Sequence, residues 1–90
     1  MVESKGVLMD LAKKMFDPVK KNPYYLGERA IRNLKELRQN LGLFTEKEAI
    51  WVADWLEYLG DPKTARKIRE NNQDFKAIII TRYAELWPYR

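Results

Sequence analysis

Apolar side chains recur along most of the chain with the three-to-four-residue spacing of amphipathic helices. Four prolines and four glycines interrupt this pattern, and residues that commonly cap helices stand beside the interruptions. The pattern predicts an all-α fold, a compact bundle of about five helices that forms a single domain over residues 1–90. The predicted helices cover residues 3–16, 27–41, 45–59, 62–72 and 74–87.

The start of the third predicted helix carries the strongest local pattern. Thr45 and Glu48 have the Thr-x-x-Glu spacing of a capping box, in which each side chain hydrogen-bonds the backbone of the other residue. Apolar residues from Trp51 to Leu59 cover most of the circumference of this helix, and only a narrow polar arc remains. We therefore expect the third helix to be central. The polar arc consists of Glu46, Lys47, Asp54 and Glu57.

The fifth predicted helix contains AIIITRY, which strand propensity alone would assign to a β-strand. Its apolar residues continue for more than three helical turns on one wide face, whereas a strand would alternate, and Pro88 marks the end. The predicted apolar face consists of Phe75, Ile79, Ile80, Tyr83, Ala84, Leu86 and Trp87. Ile78 and Arg82 then fall on the outer side. Ile78 and the similarly placed Ile50 are interpreted as local packing contacts.

The predicted core brings together the large apolar residues of the second, third and fifth helices. It consists of Leu34, Leu37, Trp51, Trp55, Leu56, Leu59, Ile79, Tyr83 and Trp87.

Gly42 is expected to close the second helix in a left-handed conformation. The i,i+4 spacing of Glu28, Arg32 and Glu36 on that helix is a weak indication of thermophily.

The segment KKNPYYLG before the second predicted helix allows two interpretations. Tyr24 and Tyr25 beside two lysines resemble a platform on which single-stranded nucleic acid stacks. An apolar residue just before a helix commonly packs the incoming chain onto the core instead. We favour the packing interpretation, and Lys13, Lys14, Lys20 and Lys21 remain an alternative basic surface.

Composition bounds the class of protein. Hydrophobic residues make up 46% of the chain and charged residues 33%, which is too apolar for disorder and too charged for a membrane protein. The N-terminal sequence lacks the pattern of a secretory signal, so we expect a cytoplasmic protein without membrane contact. The net charge of +4 is uneven, because residues 45–59 hold four acidic groups and one basic group.

Cysteine and histidine are both absent. Their absence excludes disulfides, thiolate nucleophiles, Cys/His zinc sites and imidazole acid–base catalysis. The carboxylates are dispersed, and neither a phosphate-binding loop nor an EF-hand spacing occurs. We therefore expect no enzymatic activity, no cofactor, no metal site and no catalytic residue.

The fourth predicted helix is the most suggestive feature, because LGDPKTARKIRE places Lys63, Arg66, Lys67 and Arg69 on a short helix. Asp61 and Pro62 are typical of a helix start. With the third helix, it resembles a DNA-binding helix-turn-helix, in which Ala53, Gly60, Ala65 and Ile68 would supply the small and apolar positions. The spacing departs from the standard motif, since Gly60 lies seven residues after Ala53 rather than four.

Two functions remain open at this stage. The first is a small helical module for protein interaction or structural support, with an unknown protein partner. The alternative is a nucleic-acid-binding protein that uses the basic fourth helix as an atypical recognition helix. A basic helix face is more often only solvated, so the protein-interaction function is favoured.

Overall fold

The computed structural model describes residues 4–90, and within them the predicted all-α class is confirmed. Five α-helices and one short β-hairpin occur in these residues. The helices are α1 Lys5–Phe16, α2 Leu34–Gln39, α3 Ala49–Leu59, α4 Pro62–Glu70 and α5 Phe75–Leu86. The hairpin strands are β1 Tyr24–Leu26 and β2 Arg29–Ile31. The predicted start of the first helix at residue 3 lies outside the described residues.

The second predicted helix begins seven residues later than expected, at Leu34. β1 and β2 pair antiparallel, with Tyr25 opposite Ala30, and only Gly27 and Glu28 connect them. Gly27 has a φ of +61°, as the first central residue of a type II′ hairpin turn requires. Asn33 is the N-cap of α2: its side-chain oxygen accepts a hydrogen bond from the backbone amide of Glu36 at 2.8 Å.

Two further expectations for this region were wrong. Gly42 lies in a short 3₁₀ turn, Leu41–Leu43, without a positive φ. Helix α2 has already ended at Gln39, because the side-chain amide of Asn40 turns back to the carbonyl of Glu36 at 2.8 Å. Glu28 lies in the hairpin turn, so the proposed helical series from Glu28 to Glu36 does not form.

The start of the third helix matches the prediction closely. The capping box is present: the amide of Thr45 donates to Glu48 at 2.7 Å. Glu46–Glu48 forms a 3₁₀ turn that leads directly into α3. Hydrogen bonds from the hydroxyl and amide of Thr45 hold the pKa of Glu48 below its ordinary value.

The turn from α3 to α4 consists of only Gly60 and Asp61. The amides of Asp61 and Gly60 donate to the carbonyls of Leu56 and Glu57, the paired bonds of a Schellman motif. Gly60 has a φ of +121°, where a residue with a side chain would be strained. Asp61 caps α4, as predicted, because its carboxylate accepts a hydrogen bond from the backbone amide of Thr64. The tight turn packs α4 closely along α3.

The core lies between α1, α2, the inner side of α3, α4 and α5. Leu34, Leu37, Leu56 and Ile79 are fully buried, as expected. Trp55 is 7% exposed, and its indole N–H donates to the carbonyl of Asn22 at 3.1 Å. Its ring lies 6.0 Å from that of Tyr24, which confirms the packing interpretation for this tyrosine.

Two of the predicted core residues lie at the edge of the core. Tyr83 and Trp87 are half-buried and stack with their ring centroids 5.2 Å apart. The ring of Phe16 at the end of α1 meets both of them edge-on. These three aromatics join the first and last helices of the chain.

Trp51 is 62% exposed, so its placement in the core was wrong. Helix α3 rests on the core through Val52, Trp55, Leu56 and Leu59, and this orientation turns Trp51 toward solvent. The helix is apolar around so much of its circumference that a small domain cannot cover all of it.

Arg82 was expected on the outer side of α5 and is instead 4% exposed. Its Nε donates to the Asp61 carboxylate at 2.9 Å, and the side chain of Asp61 is 1% exposed. The buried stripe of α5 therefore consists of Phe75, Ile79, Arg82 and Leu86. Ile78 is half-buried against the core, whereas Ile80 is 43% exposed.

We predict opposite effects for the two tryptophans of α3. Trp55→Ala should lower the free energy of unfolding by about 3–5 kcal/mol, because it opens a cavity beneath Tyr24. Trp51→Ala should stay within about 0.5 kcal/mol of the parent protein, because its side chain lies in solvent. Urea unfolding of both variants measures the difference. Equal losses for the two variants would contradict this orientation of α3.

Candidate functional site

The four basic residues singled out from the sequence lie on α4 but differ in exposure and in their contacts. Arg66 and Lys67 are exposed, whereas Lys63 is half-buried and already makes an interaction of its own. The inner side of the helix consists of Thr64, Ala65 and Ile68, all buried. Thr64 therefore faces the core and not the exposed side of α4 that carries Arg66 and Lys67.

The side chain of Arg69 is partly exposed and contacts α3. Its guanidinium contacts Asp54 at 2.6 Å and Glu57 at 2.5 Å, and both carboxylates lie on α3. These two hydrogen-bonded carboxylates raise the pKa of Arg69, because they favour its charged form. The contacts tie α4 to α3 and offset the charge that Arg69 would offer to a phosphate.

The surroundings of Lys67 also weaken the case for nucleic acid at this helix. Lys67 borders a groove between α4 and α5 whose walls include Asp74 and Glu85. Glu70 is exposed on α4 itself. Arg66 and Lys67 are thus the two cations of the predicted set that, within residues 4–90, make no ion pair.

The small and apolar positions that a helix-turn-helix requires are packed in the core here. Ala53, Ala65 and Ile68 are all fully buried, and Gly60 forms the turn. Helix α4 is nevertheless anchored on its two sides, to α3 through Arg69 and to α5 through Asp61.

A second surface, on α3, was missed by the sequence analysis. Ile50, Trp51 and Tyr58 are 52%, 62% and 57% exposed, and Asp54 and Glu57 lie between them. We call these five residues the outer α3 face. The abundance of apolar residues on α3 could have indicated it, because one helix of so small a domain cannot bury apolar residues on every side.

Contacts with neighbouring segments hold the outer α3 face in place. The capping box fixes the start of the helix, and Arg69 braces Asp54 and Glu57. On the hairpin side, the side-chain amide of Asn22 donates to the Tyr58 hydroxyl at 3.3 Å. The backbone carbonyl of Asn22 accepts a hydrogen bond from the indole N–H of Trp55. Asn22 has a φ of +54°, a conformation that asparagine adopts more readily than most residues. The exposed side chains therefore stand on a preformed support.

The KKNPYYLG segment separates into two environments. Tyr24 packs between the rings of Phe44 and Trp55, where burial raises the pKa of its hydroxyl, with a further contribution from the charge of Glu48. Tyr25 points to the other side of the strand and is 66% exposed. Lys20 and Lys21 are also exposed. A single tyrosine of the pair is therefore accessible for stacking.

No group of three or more carboxylates among residues 4–90 is arranged to hold a metal ion. In the same part of the chain, no helix has the length and apolar character needed to cross a membrane.

Comparison with known proteins found no matching family model, curated protein or solved structure.

Proposed function

We propose that this chain is a small helical protein-interaction module whose docking surface is the outer α3 face. The observation that carries the proposal is Trp51, a large aromatic side chain that is 62% exposed on a helix packed against the core. Tryptophan and tyrosine are enriched among the residues that dominate binding energy at protein interfaces. Trp51 and Tyr58 lie two helical turns apart and suit this role.

The rigid support of the face adds to the proposal. Binding costs less free energy when the contacting side chains are already held in position. Arg69 and the capping box hold α3 from one side, and Asn22 holds it from the other. The proposal assigns no catalytic role to any residue.

We predict that Trp51→Ala abolishes partner binding without unfolding the protein. Parent protein, Trp51→Ala and the control Ile80→Ala would be immobilised and exposed to a nuclease-treated lysate of the source cells. Ile80 is a suitable control because it is an exposed apolar residue on another helix, α5. A partner should be retained by the parent and by Ile80→Ala, and at least tenfold less by Trp51→Ala. Retention of the same proteins in the same amounts by all three would contradict the proposal.

A second candidate function, nucleic-acid binding by α4, is favoured by one observation: Arg66 and Lys67 are exposed and unpaired within residues 4–90. Because Arg69 is engaged by Asp54 and Glu57, and Lys63 makes an interaction of its own, Arg66 and Lys67 are the remaining cations of the set. Two neutralised phosphates would give a log–log salt slope of about −1.8.

For this second candidate we predict that replacing both Arg66 and Lys67 with Ala flattens the salt slope by about two units. Anisotropy titrations of duplex and single-stranded DNA between 50 and 200 mM salt measure the slope. The matched control replaces Lys5 and Lys35, two exposed lysines of other helices, with Ala. An unchanged slope in the α4 variant would move the site to Lys13, Lys14, Lys20 and Lys21. Absence of binding by the parent protein at 50 mM salt would eliminate this function.

A further inference from the structure

The surface around the outer α3 face has the opposite charge to the rest of the molecule. Two cations and five carboxylates lie on or beside it, which gives a formal charge of −3 in a chain whose total is +4. The cations are Lys47 and Arg69, and the carboxylates are Glu46, Asp54, Glu57, Glu70 and Asp74. The remainder of the chain is therefore strongly basic.

Two grooves that share Glu46 and Asn72 place some of these charges beside the apolar side chain of Ile50. The first groove, of about 540 Å³, is lined by Ile50 together with Thr45, Glu46, Lys47 and Asn72. Glu46 and Asn72 also line the second groove, which continues along the end of α4 past Glu70 to Asp74. A chain segment bound in these grooves would thus meet Ile50 and the carboxylates of Glu46, Glu70 and Asp74, and Trp51 is exposed next to Ile50 in the sequence of α3.

Carboxylate oxygens on this surface remain accessible to a ligand. The side chains of Asp54 and Glu57 are 61% and 50% exposed, although each accepts one hydrogen bond from Arg69. An ionised carboxylate has about four acceptor positions, so each retains capacity for a further donor. Lysine and arginine side chains supply such donors and also complement the negative potential.

We infer that the outer α3 face and its grooves bind a basic protein segment that carries apolar anchor residues. This inference rests on the proposed function, because it names the class of partner for the same face. Ile50 and Trp51 contact the apolar anchors, and Glu46, Glu70 and the exposed carboxylates of α3 contact lysine or arginine side chains. A polyanion such as nucleic acid is disfavoured here, because it would be repelled by the net negative charge.

The test uses two fluorescent 18-residue amphipathic peptides, one built from leucine and lysine and the other with every lysine replaced by glutamate. Anisotropy titrations at 50 and 200 mM salt compare the parent protein with Trp51→Ala and with a Glu46→Lys, Glu70→Lys double variant. Glu28→Lys, in the exposed hairpin turn, controls for a general change of charge. A dT15 oligonucleotide serves as the polyanion.

The lysine peptide should bind the parent at least tenfold more tightly than the glutamate peptide, and its affinity should fall with salt. Trp51→Ala and the double variant should each weaken it at least tenfold, and Glu28→Lys less than threefold. Equal affinity for both peptides, with dependence on Trp51, would overturn the inference about charge and leave the proposed function standing. No binding of the lysine peptide by the parent would also overturn the inference. Trp51-dependent binding of dT15 would overturn both the inference and the proposed function.

Discussion

The buried ion pair between Asp61 and Arg82 joins three helices at one point. Asp61 ends the turn after α3, caps α4 through the amide of Thr64, and accepts two donors from Arg82 on α5, at 2.9 and 3.3 Å. Its own amide donates to Leu56 of α3 at 3.0 Å. Removing each of these two charges from water costs several kcal/mol, and their mutual attraction and hydrogen bonds must offset that cost. Among residues 4–90, no buried side-chain nitrogen or oxygen lacks a partner.

This pair explains why α4 lies where it does despite its small apolar surface. Three residues of α4 are buried, Thr64, Ala65 and Ile68, which is little for a helix in a small core. Asp61 fixes its first turn to α5, and Arg69 fixes its last turn to α3. The basic character of α4 thus serves packing at Arg69, which contacts Asp54 and Glu57 of α3.

Local patterns predicted much of this fold because short-range hydrogen bonds decide where helices begin and end. Thr45 with Glu48, and Asp61 with Pro62, were correctly predicted as helix starts. The hairpin was missed because Ala30, Ile31 and Leu34 also fit a helical spacing. Gly27 in a two-residue connection and the Asn33-x-x-Glu36 spacing were the patterns that indicated a turn and a later helix start.

The remaining errors have a common cause in long-range packing. A hydrophobic pattern places every arginine outside, and it cannot show that the partner of Arg82 lies 21 residues earlier in the chain. It also treats Trp51 and Trp55 alike, although the contact with Tyr24 and Asn22 buries only Trp55. The sequence pattern placed the basic residues on one helix, α4, but the engagement of Arg69 by α3 depends on how the two helices pack.

A double-mutant cycle on Asp61 and Arg82 tests most directly whether this pair holds α3, α4 and α5 together. Asp61→Asn keeps a residue that can cap α4, and Arg82→Met keeps most of the side-chain volume. By urea unfolding, each single variant should lose about 3–5 kcal/mol, because each breaks a buried ion pair by removing one of its two charges, and the contact of Arg82 with Glu85 at 3.7 Å is longer and reaches an exposed carboxylate. The double variant should lose less than the sum of the two, by at least about 1 kcal/mol. Single variants within about 0.5 kcal/mol of the parent, or strictly additive losses, would contradict the role assigned to the pair.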